Sequence, residues 1–192
     1  MKKIYFIMAL ACMMMVSCGS KEGDGKTDGH EYVDLGLPSG LKWATCNVGA
    51  KSSEKYGDYF AWGETETKET YDDASCLNYG NSMPDFSGNV EYDAATAHWG
   101  ETWRTPKAIE WKELLDECTW EWTTQKEVNG YKVTGPNGRN IFLPATGGRI
   151  GIGLYGDGDS AYYWSSTQSG GSDGASSACY FGFGGFIKEV LL

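Results

Sequence analysis

The chain reads as an α+β domain built on antiparallel sheet, and three observations carry that reading. One amphipathic helix stands out near the middle of the chain, and a shorter helical stretch lies just before it. From residue 119 onward the apolar period changes from 3.6 to 2, with turn residues between short segments. No internal repeat interrupts this order. At 192 residues the chain has room for one substantial core once its leader and tether are set aside.

The leader is residues 1–17: Lys2 and Lys3 form a charged start, and Ile4 to Val16 form an apolar run short for a bilayer span. It ends at Met15-Val16-Ser17-Cys18, which resembles a loose lipobox, with Cys18 the residue that takes the lipid. An ordinary secretory leader with an incidental cysteine is the alternative. Residues 18–30 read as a flexible tether, being rich in glycine and charge from Gly19 to Gly29 without an apolar residue. The folded domain is then residues 31–192.

Within it, Glu31 to Leu35 and Leu41 to Asn47 form an expected hairpin around Gly36-Leu37-Pro38-Ser39-Gly40. From Val48 to Tyr92 the pattern fades into one long irregular loop with an aromatic island, Tyr56 to Trp62. Asp93 is a natural N-cap for a short helix to His98, which Gly100 stops. The main helix runs from about Pro106 to Glu117, with Thr105 as N-cap. Trp111, Leu114, Leu115 and Cys118 share one face of it, while Lys112, Glu113 and Asp116 lie toward the other.

A meander follows: Thr119 to Thr124, a hairpin turn at Asn129-Gly130, Tyr131 to Thr134, a second turn at Gly135 to Gly138, and Arg139 to Pro144. Next come a glycine-rich loop, Ala145 to Ser160, a strand from Ala161 to Ser166, and a Gly/Ser loop, Thr167 to Ala175. A final hairpin folds at Gly184-Gly185.

The formal charge is −10, and losing Lys2 and Lys3 with the leader takes it to −12. Such acidity argues against nucleic acid as a partner, because phosphate binding needs clustered Lys and Arg. Of the cysteines, Cys46, Cys76, Cys118 and Cys179 fall in the folded part, where they form two disulfides in one of three pairings or stay as free thiols. No CxxC or His/Cys cluster points to a metal, and the chain holds only His30 and His98 for histidine chemistry. No cofactor is expected.

Arg104 and Arg149 are the arginines set among aromatics and glycines; Arg104 has core-like neighbours and reads as structural, whereas Arg149 opens the glycine loop. That loop also carries Tyr155, Asp157 and Asp159, an acidic turn without the closing glutamate of an EF-hand. Trp43, Trp99, Trp103, Trp111, Trp120, Trp122 and Trp164 lie in periodic or packed contexts and read as core. Trp62, beside Tyr56, Tyr59 and Phe60, lies in an irregular stretch and is the aromatic expected to face a ligand. The candidate ligand-binding residues are therefore Trp62, Arg149, Tyr155, Asp157 and Asp159.

Several motifs coincide in order: Tyr32 to Ala50, Gly57-Asp58-Tyr59-Phe60-Ala61-Trp62-Gly63-Glu64-Thr65, Trp99 to Glu110, Ile141-Phe142-Leu143-Pro144-Ala145 and Tyr163-Trp164-Ser165-Ser166. Together they resemble the Fibrobacter succinogenes major paralogous domain. That family belongs to the wider group with a C-type-lectin-like fold, which also holds the formylglycine-generating enzymes. The resemblance implies a secreted or surface lipoprotein with a compact lectin-like domain. Ser20-Lys21-Glu22, with Asp24 close behind, is similar to the acidic export signal on surface lipoproteins of the Bacteroides group, so outer-membrane, cell-surface display is expected.

Two departures stand out. Lys107 occupies the place of the family's capping threonine, leaving Glu110 without that partner. The chain also stops at Val190-Leu191-Leu192, short of the strand with which family members close, which predicts an open edge along the Tyr32 strand.

The expected function is a non-catalytic, surface-anchored module that binds a glycan or a surface protein through its long loops and meets the membrane through its lipid alone. The alternative is an assembly component of a surface appendage, for which the open edge would be the telling feature. An oxidase similar to formylglycine-generating enzymes would need a reactive cysteine pair for copper, and the four cysteines lack that local arrangement.

Overall fold

A computed structural model describes residues 24–170, 176–184 and 187–191. The leader, Cys18 and the first part of the tether lie outside the described residues, as do part of the Gly/Ser stretch 167–175 and of the turn at Gly184-Gly185. The fold is mixed α+β, with three sheets and two helices among the described residues.

The first sheet has the order β1 (Gly25–Thr27), β2 (His30–Asp34), β3 (Lys42–Ala44), all antiparallel. The hairpin expected around Gly36 to Gly40 is present. The end of the tether, however, is built into the domain: Asp28 and Gly29 take positive φ, 45° and 85°, and fold Gly25–Thr27 back onto β2. The Tyr32 strand thus has a neighbour on each side, and the open edge expected there is closed by the chain's own β1.

Helix α1 (Ala94–Trp99) is capped by Asp93 and stopped by Gly100 at φ 96°. Helix α2 (Ala108–Glu117) starts later than expected. Thr105 is not its cap: it lies two residues before the N-cap position, and its hydroxyl and N–H both donate to the Asp93 carboxylate, at 2.8 Å each. Lys107 holds the N-cap position with extended φ and ψ, and its N–H donates to Glu110 Oε2 at 2.7 Å. Half of the capping box therefore survives the loss of the threonine, since the glutamate's half needs only a backbone donor.

The second sheet is the meander β4 (Thr119–Gln125), β5 (Val128–Thr134), β6 (Asn140–Pro144). Its first turn sits at Lys126 and Glu127, φ 47° and 67°, and Asn129-Gly130 lies inside β5 instead. A Cβ on Gly130 would collide with the Leu143 carbonyl, so this glycine serves close strand approach rather than a turn.

The third sheet has the order β11-β10-β9-β7-β8. Its strands are β7 (Thr146–Ile150), β8 (Gly153–Asp157), β9 (Ser160–Gly170), β10 (Ser176–Gly184) and β11 (Ile187–Leu191). The stretch expected to be a loop from Ala145 to Ser160 is mostly the β7–β8 hairpin, and β9 runs on to Gly170 in place of the loop expected from Thr167. Glycine-rich composition hid both, because glycine carries no period.

The main core gathers Val33, Leu35 and Trp43 from the first sheet, Trp111 and Leu114 from α2, Tyr131, Val133, Ile141 and Leu143 from the meander, and Tyr163, Phe181 and Phe183 from the third sheet. Trp111 is fully buried; it stacks on Phe181 with centroids 4.8 Å apart and bonds the Trp164 carbonyl through its indole N–H. Truncating such a residue costs about 3–5 kcal/mol. A second cluster joins Ala44, Val48, Ala95, Trp99 and Trp103. The inner face of the third sheet is thereby covered, and its outer face carries exposed side chains.

Candidate functional site

The long segment from Val48 to Tyr92 forms no strand beyond a single bridge at Tyr71, as expected, yet it is pinned to the third sheet by side chain–backbone hydrogen bonds. Tyr59 donates its hydroxyl to the Thr146 carbonyl at 2.5 Å, and Tyr71 donates its own to the Tyr59 carbonyl at 2.6 Å. Tyr71 and Gly151 exchange both backbone hydrogen bonds at the tip of the β7–β8 hairpin.

Trp62 belongs to this pinning and does not face a ligand. It is 9% exposed, its indole N–H donates to the Ser165 carbonyl at 2.8 Å, and Phe86 packs edge-on at 5.1 Å. An aromatic in an irregular stretch can anchor that stretch as readily as it can display itself. Arg104 is structural: it grips both oxygens of Glu110 at 2.7 and 2.9 Å and donates to Ser87 Oγ at 2.7 Å.

The remaining candidates sit on the hairpin without converging on one point. Arg149 is opposite Leu154, and its guanidinium lies over the Tyr59 ring at 5.3 Å. Burial pushes the Tyr59 phenol up to about 12; Tyr56 and Asp157 push the same way and Arg149 opposes them. Asp159 lies in the turn into β9, its N–H on the Gly156 carbonyl at 3.1 Å. Among the described residues no three metal-ligating side chains of the His, Cys, Asp and Glu type group together.

Tyr155 lies on the other side. Opposite residues of an antiparallel pair share a face, so Tyr155 faces out with Gly148, and Ile150 with Gly153. Tyr162 joins them, its ring 3.1 Å from where a Cβ of Gly148 would sit. Ile150 is 70% exposed, Tyr155 59% and Tyr162 50%; Ile152, at the tip between the strands, is 81% exposed. Ile150, Ile152 and Tyr162 escaped the sequence reading. For Tyr162 a signal existed, since two adjacent tyrosines in a strand must point to opposite faces and Tyr163 suits the core.

Other concave or reactive features close on themselves. A groove between α2 and the Gly36 to Gly40 turn, about 540 Å³, is lined by Glu113, Glu110 and Arg104. Glu113 accepts from Ser39 N and Oγ at 2.8 and 2.6 Å, and Glu110 pairs with Arg104, so neither carboxylate is offered to a ligand. The four described cysteines are free thiols, Cys179 buried and the others half-buried. Burial, then Glu31, pushes Cys46 to about 11, and burial, then Glu117 and Glu113, pushes Cys118 to about 12.

No known protein family, curated protein or solved structure matches the chain.

Proposed function

We propose that the chain is a non-catalytic, surface-anchored lipoprotein module of C-type-lectin-like fold, tethered through Cys18, that binds a glycan or a protein outside the cell. The observation that carries this reading is the outward cluster of Ile150, Tyr155 and Tyr162 on the third sheet, with Ile152 at the hairpin tip. Large apolar groups gathered on one exposed face mark interaction surfaces more often than scattered ones do. The binding face is thus a sheet face and hairpin rather than flexible loops. Thiols held in the protonated form favour an inert role for the cysteines over copper-based oxidation. Assembly by strand exchange at β2 loses its support, because β1 already occupies that edge.

The test uses the full-length protein in detergent, screened against immobilised glycans and extracellular proteins, beside an Ile150→Ser, Tyr155→Ala double variant. Selective retention of one class, lost in the double variant, is the expected result. Retention of nothing, or retention the variant leaves unchanged, would overturn the reading, as would a tight stoichiometric Cu(I) site. A Cys18→Ala chain should move from the membrane to the soluble fraction.

A further inference from the structure

The outer face carries two exposed rings backed by bare backbone. A Cβ on Gly153 would lie 2.6 Å from the Tyr155 ring and one on Gly148 3.1 Å from the Tyr162 ring, so each ring rests on a glycine. Tyr162 is held from the other side by Tyr180, edge-on at 5.8 Å, and Tyr180 in turn by Trp164 at 6.0 Å. Strands β8 and β9 flank β7, which sets the backbones of Tyr155 and Tyr162 two strand spacings apart, about 10 Å. Gly148 lies between them, and its missing side chain leaves room for the Tyr162 ring to lie over β7.

Charge selects among ligands for such a surface. The cations of these strands point elsewhere: Arg149 lies over Tyr59, and Lys188 lies over Trp120 and Tyr131 at 5.4 and 5.1 Å. Glu189, by contrast, is paired with Gly182 beside Tyr162 and is exposed on this face. An anionic polymer would meet a carboxylate and no described cation of these strands, on a chain already at −10. A hydroxyl-rich neutral ligand would find apolar ring faces, phenolic hydroxyls and a carboxylate acceptor.

We propose that Tyr155 and Tyr162 form a two-ring platform for an uncharged, extended polysaccharide, stacking on pyranose rings of one chain while Glu189 accepts from its hydroxyls. Two rings carried on strands either side of β7 offer stacking surfaces to successive parts of one extended chain. The inference rests on the binding-module reading above and narrows it to one ligand class.

The test is affinity electrophoresis of the full-length protein in detergent through gels carrying β-glucan, xylan, mannan, polygalacturonate or heparin, at low and high salt. Retardation by a neutral polymer is expected, insensitive to salt. Tyr155→Ala and Tyr162→Ala should each weaken it roughly tenfold, the scale of one aromatic contact, with the melting temperature unchanged because both rings are exposed; Tyr155→Phe should retain binding. Tyr92→Ala is the control. Salt-sensitive retention by polygalacturonate or heparin, or neutral retention indifferent to both tyrosines, would overturn the platform and leave the binding module standing. So would retention by no polysaccharide where a protein partner is captured through Ile150 and Tyr155. Failure in both screens would remove the two readings together.

Discussion

His30 lies flat against Trp99, ring centroids 3.8 Å apart and planes 7° from parallel, with Trp103 edge-on at 6.2 Å. It ties the start of β2 to α1 through an apolar contact. Burial, then the nearby Lys26, lowers its pKa below the usual histidine value of 6.5, against a smaller pull from Asp28. The folded state therefore prefers the neutral ring more strongly than the unfolded chain does. The stability this contributes is complete above pH 6.5 and is lost as pH falls through the lower folded value. A His30→Gln variant should thus lie furthest below the wild type in melting temperature near pH 7.5, and the gap should narrow by pH 5. Paired thermal melts across that range measure it; a gap that widens toward acid would mean that the ring is held as its cation.

At the scale of elements, the β4–β5 turn asks for a left-handed backbone at two residues that have none of glycine's freedom. Lys126 is retained in part by its ion pair with Glu54 at 3.2 Å, but Glu127, exposed at φ 67°, carries the strain alone among the described ion pairs. Glycine there should raise stability by about 1 kcal/mol, the cost of a left-handed non-glycine residue, or about 2–4 °C in a domain of this size. A melt of Glu127→Gly that falls instead would show that the side chain holds the turn. The same turn shows where the sequence misleads. Asn129-Gly130 has the composition of a hairpin turn, and only the approach of β6 makes Gly130 a strand residue; that is a tertiary fact no local pattern carries. By contrast α1, with Asp93 before it and Gly100 after it, was legible to within one residue at its end, because capping is local chemistry. The apolar face of α2 was legible for the same reason. The hairpin of β7 and β8 was not, and with it went the outward face shared by Tyr155 and Tyr162. Arg149, Tyr155 and Asp157 were found by residue type; the side of the sheet each occupies depends on register, which glycines conceal.

For the molecule as a whole, the end of the irregular segment, α1 and the approach to α2 meet at one carboxylate. Asp93 is fully buried and accepts from Ala95 N, Thr96 N and Thr105 Oγ1 on one oxygen, and from Gly88 N and Thr105 N on the other. It therefore holds α1, the end of the long segment and the approach to α2 in one arrangement. The chain then passes the constraint on: Ser166 N donates to the Pro106 carbonyl at 2.9 Å, and Ala108 N to Thr167 Oγ1 at 3.1 Å, which seats α2 on β9. Removing the carboxylate loses a cap, worth about 1 kcal/mol, and strands several buried donors at about 1–3 kcal/mol each. Asp93→Ala should accordingly cost at least about 3 kcal/mol. Asp93→Asn should cost less than that, since it keeps one acceptor but turns an amide NH₂ toward N–H donors. Urea denaturation decides whether the joint is global. A lower midpoint with an unchanged slope means that the whole domain depends on it. If instead hydrogen exchange shows α1 loosened while the global midpoint stays in place, Asp93 caps one helix and joins nothing.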